Sequence, residues 1–269
     1  MAGFKVKSVA LSALLAIGGV AQANVVDLFT DPPGGQITNW AKSEGLVTKV
    51  TEAGAYPSTI LGGYRDIVLQ ITNTAGSGNF ATASASVADG KFELATSPNI
   101  TAIARVQWDG GDNSAALNTQ GLNHANLVVQ SGCPATGCDR FVADVSFADL
   151  QFQYQIVIYD MTGNFSILTS AAPGGITSDT PIDFPFEWWG LSAGAHTIDG
   201  VTFNITRSAG AVDFTNIGAM EFVVNSDGQT VSVDLALGGV TKTGVPEPAS
   251  IALAGLALLG LGAARRRKM

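Results

Sequence analysis

A serine set between glycines is the first candidate for chemistry. Gly190-Leu191-Ser192-Ala193-Gly194 fits the G-x-S-x-G spacing of a hydrolase nucleophile elbow. In such an elbow a tight strand-to-helix turn presents the serine, and an acid and then a histidine follow in the chain. Here no helical periodicity follows, and His196 comes two residues after the motif, ahead of any downstream acid. A glycine-rich turn is therefore the expectation. Only His124 and His196 are available for proton transfer, and no H-E-x-x-H or phosphate-loop spacing occurs. Carboxylates are plentiful, as in Asp139, Asp144 and Asp149 or Asp179, Asp183 and Glu187. A glycosidase needs two of them facing across a cleft, which spacing in the chain does not supply. The chain reads as non-enzymatic.

Three further groups could bind or brace. Asp109-Gly110-Gly111-Asp112-Asn113 gathers three oxygen-bearing side chains and two flexible glycines. Asp109, Asp112 and Asn113 are thus candidate ligands for a structural calcium, an ion that takes six to eight oxygens; a plain Asp-Gly turn is the competing reading. Trp188 and Trp189, beside Glu187, could stack on a sugar face while the acid accepts hydroxyl hydrogen bonds. Adjacent residues of a strand point to opposite faces, so one ring is expected in the core and the other outside. Cys133 and Cys138 are the only cysteines, separated by Pro-Ala-Thr-Gly. In an oxidising compartment they read as a local disulfide that clamps one loop.

The elements that must carry these residues are strands. Gln151 to Ile158 alternates Phe152, Tyr154, Ile156 and Ile158 with Gln151, Gln153 and Gln155; Thr230 to Leu237 alternates Val231, Val233, Leu235 and Leu237 with polar residues. Period two over eight residues marks half-buried strands. Weaker runs fall at 46–50, 65–71, 80–87, 91–96, 100–108, 126–130, 141–147, 164–169, 197–205 and 217–224. Asp89-Gly90, Asp199-Gly200 and Asp227-Gly228 each separate two apolar runs, the strongest short-range hairpin signal. The fold expected is all-β: a single antiparallel β-sandwich, jelly-roll-like, over residues 24–240.

The two ends have a different character. Lys5 and Lys7, the 12-residue apolar run Val9 to Val20, and Ala21-Gln22-Ala23 compose a secretory signal peptide over 1–23. Cleavage after Ala23 would leave Asn24 as the new terminus. After a linker at 241–248 comes an uncharged apolar stretch, Ala249 to Ala264, within a terminal segment 249–269 that closes on Arg265-Arg266-Arg267-Lys268. Its 16 residues would span about 24 Å as a helix, short of the roughly 30 Å hydrocarbon core, so the transmembrane helix is marginal. The basic cluster stays cytoplasmic by the positive-inside rule, which puts the body outside. Setting the ends aside leaves 8 basic and 22 acidic residues between 24 and 247, a formal charge of −14. Such a surface repels nucleic acid. Charged residues are still only 13% of the chain, against roughly a quarter in an average domain.

Pro246-Glu247-Pro248, the short apolar helix and the arginine run, in that order at the C-terminus, resemble the sorting signal of PEP-CTERM proteins. The resemblance implies a transient anchor and cleavage near the Pro-Glu-Pro by an exosortase, an integral-membrane protease-transpeptidase. It implies passage through the secretion translocon to the cell surface, envelope or secreted matrix of a Gram-negative bacterium, and an association with exopolysaccharide and biofilm. A carbohydrate-binding, lectin-like module and a self-associating surface or filament subunit are the alternatives. Val25 to Asp31 and Ile60 to Asp66 are also similar to the N-terminal part of one group of uncharacterised PEP-CTERM proteins. Within them Gly62-Gly63 reads as a bend, and Arg65 is expected to pair with its neighbour Asp66.

Overall fold

The computed structural model describes residues 24–30, 37–42, 47–53, 56–74, 82–128, 139–172 and 174–244. In chain order the strands are β1 (Asn24–Asp27), β2 (Ile37–Lys42), β3 (Val47–Ala53), β4 (Arg65–Asn73), β5 (Thr82–Ala88), β6 (Lys91–Thr96), β7 (Thr101–Trp108), β8 (Asp139–Ala148), β9 (Phe152–Asp160), β10 (Phe165–Ala172), β11 (Thr180–Pro185), β12 (Gly194–Ile198), β13 (Val201–Arg207), β14 (Ile217–Val224) and β15 (Leu235–Gly244). Short 3-10 turns occur at Leu61–Gly63 and Phe186–Gly190.

All these strands pair antiparallel, in two sheets. The smaller runs β11-β8-β15-β6-β5-β2, with β1 also on β15; the larger runs β12-β13-β10-β9-β14-β7-β4-β3. Both contribute inward side chains to one apolar core. On β9 the residues facing it are Phe152, Tyr154, Ile156 and Ile158, all buried, as the alternation requires. Burying each such side chain stabilises by about 1.5–3 kcal/mol.

Turn chemistry fixes two of the hairpins. Asp89 and Gly90 have φ of 52° and 77°, and Asp199 and Gly200 have 51° and 81°. Two successive positive φ values match the twist of the flanking strands, so β5–β6 and β12–β13 close with Ala88 opposite Lys91 and Ile198 opposite Val201. Asp227-Gly228 does not close a hairpin, because β14 and β15 lie in different sheets. Residues 230–234 leave the expected strand for the same reason: the chain must cross between sheets. Asn225 holds the crossing by donating to Thr230 O at 2.8 Å and accepting from Thr230 N at 3.1 Å, and Ser232 takes φ of 57°. Val231, expected inside, is 43% exposed.

The last strand corrects the expected linker. Residues 241–244 continue β15, with Thr241 opposite Val142 and Gly244 opposite Asp139. β1 lies on β15's other partner positions, with Asn24 opposite Lys242. The domain's first and last strands therefore pair with each other, and in the chain they adjoin the expected signal peptide and sorting segment. Those segments, with Ala21, Ala23, Pro246, Glu247, Pro248, Arg265, Arg266 and Arg267, lie outside the described residues, as do Cys133 and Cys138.

Candidate functional site

The tryptophan pair is inside. Pro185 ends β11, and the 3-10 turn that follows has three residues per turn, which brings Phe186 and Trp189 to the same side. Trp189 packs edge-on against Phe141 at 5.6 Å, and Trp188 stacks on Phe203 at 4.6 Å. Their exposures are 1% and 5%, so neither ring offers a face to a sugar; only Glu187 is exposed. The expectation of one ring in and one out fails because the segment is a turn, where strand alternation does not apply. Ser192 sits between this turn and β12 with no helix after it, and His196 Nε2 donates to the Ser192 backbone oxygen at 2.8 Å.

β4 separates two adjacent charges. Arg65 points inward and donates to Asp27 Oδ1 at 2.7 Å, both side chains being fully buried. Asp27 also accepts from Phe29 N at 2.7 Å and Trp108 Nε1 at 2.8 Å, while burial itself pushes its carboxyl upward. This pair ties β1 to the larger sheet. Asp66 lies on the outer face, where it joins Asp109 and Asp112; carboxylate oxygens of the three lie within 4.8 Å of one another. Ser114 N donates to Asp112 Oδ1 at 2.9 Å and to Asp66 Oδ2 at 3.3 Å, and Asn118 N donates to Asp109 Oδ2 at 2.7 Å. A Cβ at Gly121 would stand 1.5 Å from Asp109 O, so only glycine lets this loop close. Of the expected calcium ligands, Asp109 and Asp112 come together, and Asp66 joins them as a third carboxylate. Three carboxylates could supply oxygens to a hard cation, whose shell of six to eight also takes backbone carbonyls.

Further along this outer face, Gln107 is buried between Asp66 and Glu221, its cross-strand neighbours. Its Nε2 donates to Glu221 Oε1 at 2.8 Å and to Ala115 O at 3.4 Å. Burial pushes the Glu221 carboxyl above its ordinary range, opposed by the Gln107 bond and by Arg105 Nε at 3.8 Å.

The other half of the face is different in kind. The outward positions of β9, β10, β13 and β12 are Gln153, Gln155, Val157, Tyr159, Phe165, Ile167, Thr169, Ala171, Thr202, Asn204, Thr206, Ala195 and Thr197. None is charged. Gln155, Thr169, Asn204 and Ala195 form one cross-strand row, about 14 Å long at roughly 4.8 Å per strand. At one end Tyr159 and Phe165, half-buried, hold their rings 5.5 Å apart. Amides and hydroxyls both donate and accept, and an aromatic ring presents a flat apolar surface. The period-two phase of 151–158 already put Gln153 and Gln155 outward; Tyr159 continues that phase one step beyond the run.

Among known proteins the comparisons are distant over the body and specific at the tail. No curated protein matches the chain. Of solved structures, the family 11 carbohydrate-binding module from Clostridium thermocellum in complex with a β-1,3-1,4-mixed-linked tetrasaccharide is 10% identical, covers 85% of this chain and 99% of its own, and has a TM-score of 0.39. The family 11 module of a cellulosomal cellulase of the same organism is 10% identical at 84% and 96% coverage, TM-score 0.36, and an exo-β-agarase is 9% identical at 85% and 26%, TM-score 0.35. Likeness this loose transfers no ligand and no site. Residues 244–268, beginning on the last residue of β15, match the PEP-CTERM protein-sorting motif, and this chain is accordingly an exported, exosortase-sorted protein with a C-terminal anchoring signal.

Proposed function

We propose that the protein is a non-enzymatic module, delivered to the envelope or extracellular matrix, whose uncharged outer face binds a neutral exopolysaccharide. The observation that carries the reading is the row of thirteen outward positions on β9, β10, β13 and β12 without a charge, on a region whose formal charge is −14. A uniformly acidic surface keeps anionic polymers away. A neutral patch of Gln, Asn and Thr within it meets sugar hydroxyls with paired donors and acceptors, and Tyr159 with Phe165 supplies a stacking platform. The sorting motif supports delivery outside the cell, where such a polymer is found.

The test is pull-down of the purified chain on insoluble neutral and acidic polysaccharides, with Tyr159→Ala and Asn204→Ala alongside. Retention on a neutral polymer that drops at least tenfold in Tyr159→Ala supports the reading. Equal retention of all variants, or preference for acidic polymers, contradicts it. Light scattering on the same samples separates a self-associating subunit: mass rising with concentration, abolished by the same substitutions, would assign the face to a second copy instead.

A further inference from the structure

The inner faces of the two sheets leave a gap. Phe222 is inward on β14 and Ala143 is inward on β8; each strand has a hydrogen-bonded neighbour on both sides, yet both residues keep partial exposure. Inward positions on central strands are normally sealed, since protein interiors contain few voids larger than a water. This cavity measures about 50 Å³, against roughly 10–15 Å³ for one water in that measure.

Among the described residues its walls are chemically uniform. Phe141, Phe152, Phe184 and Phe222 face it with aliphatic neighbours, and the polar atoms among its lining residues are already engaged. Trp108 Nε1 donates to Asp27. The Tyr154 hydroxyl bonds Ser170, whose Oγ donates to Thr202 O at 2.8 Å; burial pushes this phenol up to about 12, so it stays neutral. A cavity without donors or acceptors holds water poorly and takes apolar guests. β11, an edge strand of the smaller sheet, contributes the half-buried Ile182 to the wall, so a guest can reach the gap from that edge.

We propose that this gap is a binding site for the end of a slender, uncharged apolar molecule such as a methylene chain. The site lies on the side of β9 and β14 opposite the glycan face, and does not depend on it. The cavity admits about four non-hydrogen atoms, with the remainder of the chain lying toward the β11 edge.

The experiment is quenching of tryptophan fluorescence in the whole protein by 10-bromodecanol. The four tryptophans, Trp40, Trp108, Trp188 and Trp189, belong to the body of the chain and none to the apolar tail. Saturable quenching is expected, with the component from Trp108 lost in Trp108→Phe. Ala143→Leu and Ala172→Leu, which fill the gap, are expected to weaken binding at least tenfold while the melting temperature holds or rises. Absence of saturable quenching in the native chain, or equal affinity in folded filled variants, would overturn the proposal.

Discussion

The outer face of the larger sheet is two surfaces that share one backbone. Over β4, β7 and β14 it carries Asp66, Arg105, Gln107 and Glu221, and residues from the 109–121 loop bond to it: Ser114 N reaches Asp66 and Ala115 O accepts from Gln107. Over β9, β10, β13 and β12 it carries no charge, and Thr202, Asn204, Thr206 and Thr197 stay open to solvent. Buried ionisable groups are costly unless their oxygens and nitrogens are bonded, so the charged half is closed over by loop amides. Amides and hydroxyls need no such cover, which leaves the neutral half free for a ligand. Side-chain type, more than strand geometry, decides which half becomes structure and which stays available.

Substitutions can break this contrast at graded cost. The reference is the inner side of β4, where Asp27→Ala should destabilise by about 3–5 kcal/mol, read from chemical denaturation, because it breaks a buried pair and frees β1. On the covered half Gly121→Ala should cost about 3 kcal/mol and detach the 109–121 loop, visible as lost amide protection there. Gln107→Leu should cost about 2 kcal/mol by removing the donor that Glu221 and Ala115 accept from. On the open half Thr202→Ala and Thr206→Ala should shift stability by no more than about 0.5 kcal/mol, with their effect confined to polysaccharide retention.

Acidity sharpens the same comparison. Glu221, raised by burial, contributes stability that is present below its ordinary value of 4.5 and lost as pH rises through the raised one. Glu221→Gln should therefore flatten the pH–stability profile and gain at neutral pH. Asp160 closes the β9–β10 hairpin. Burial works to raise it, but hydrogen bonds from Thr162, Asn164 and the Asp213 amide prevail and hold it below 3.8. Its contribution is present above 3.8 and lost as pH falls through the folded value, so Asp160→Asn should lose stability at neutral pH. Melting temperatures across pH 3 to 8 would read both, with opposite signs expected.

The open half was largely legible in the sequence, and the covered half was not. Alternation placed β9 with Gln153 and Gln155 outward, and Asp-Gly pairs with positive φ placed two hairpins. Asp66 was hidden because its partners Asp109 and Asp112 are distant in the chain and only sheet register joins β4 to β7. β11 lay outside the expected runs: it carries Pro181 and Pro185, which a strand tolerates at a sheet edge, where one side needs no amide donor. Trp188 and Trp189 misled for a related reason, because Pro185 turns the chain out of the strand whose alternation would have exposed one ring.

The neutral half of this face is the proposed working surface. Retention of the whole protein on a neutral polysaccharide, compared between the native chain and Tyr159→Ala with equal melting temperatures, tests it most directly. Binding is expected to fall at least tenfold; retention unchanged by Tyr159→Ala, or no binding by the native chain, would contradict that role.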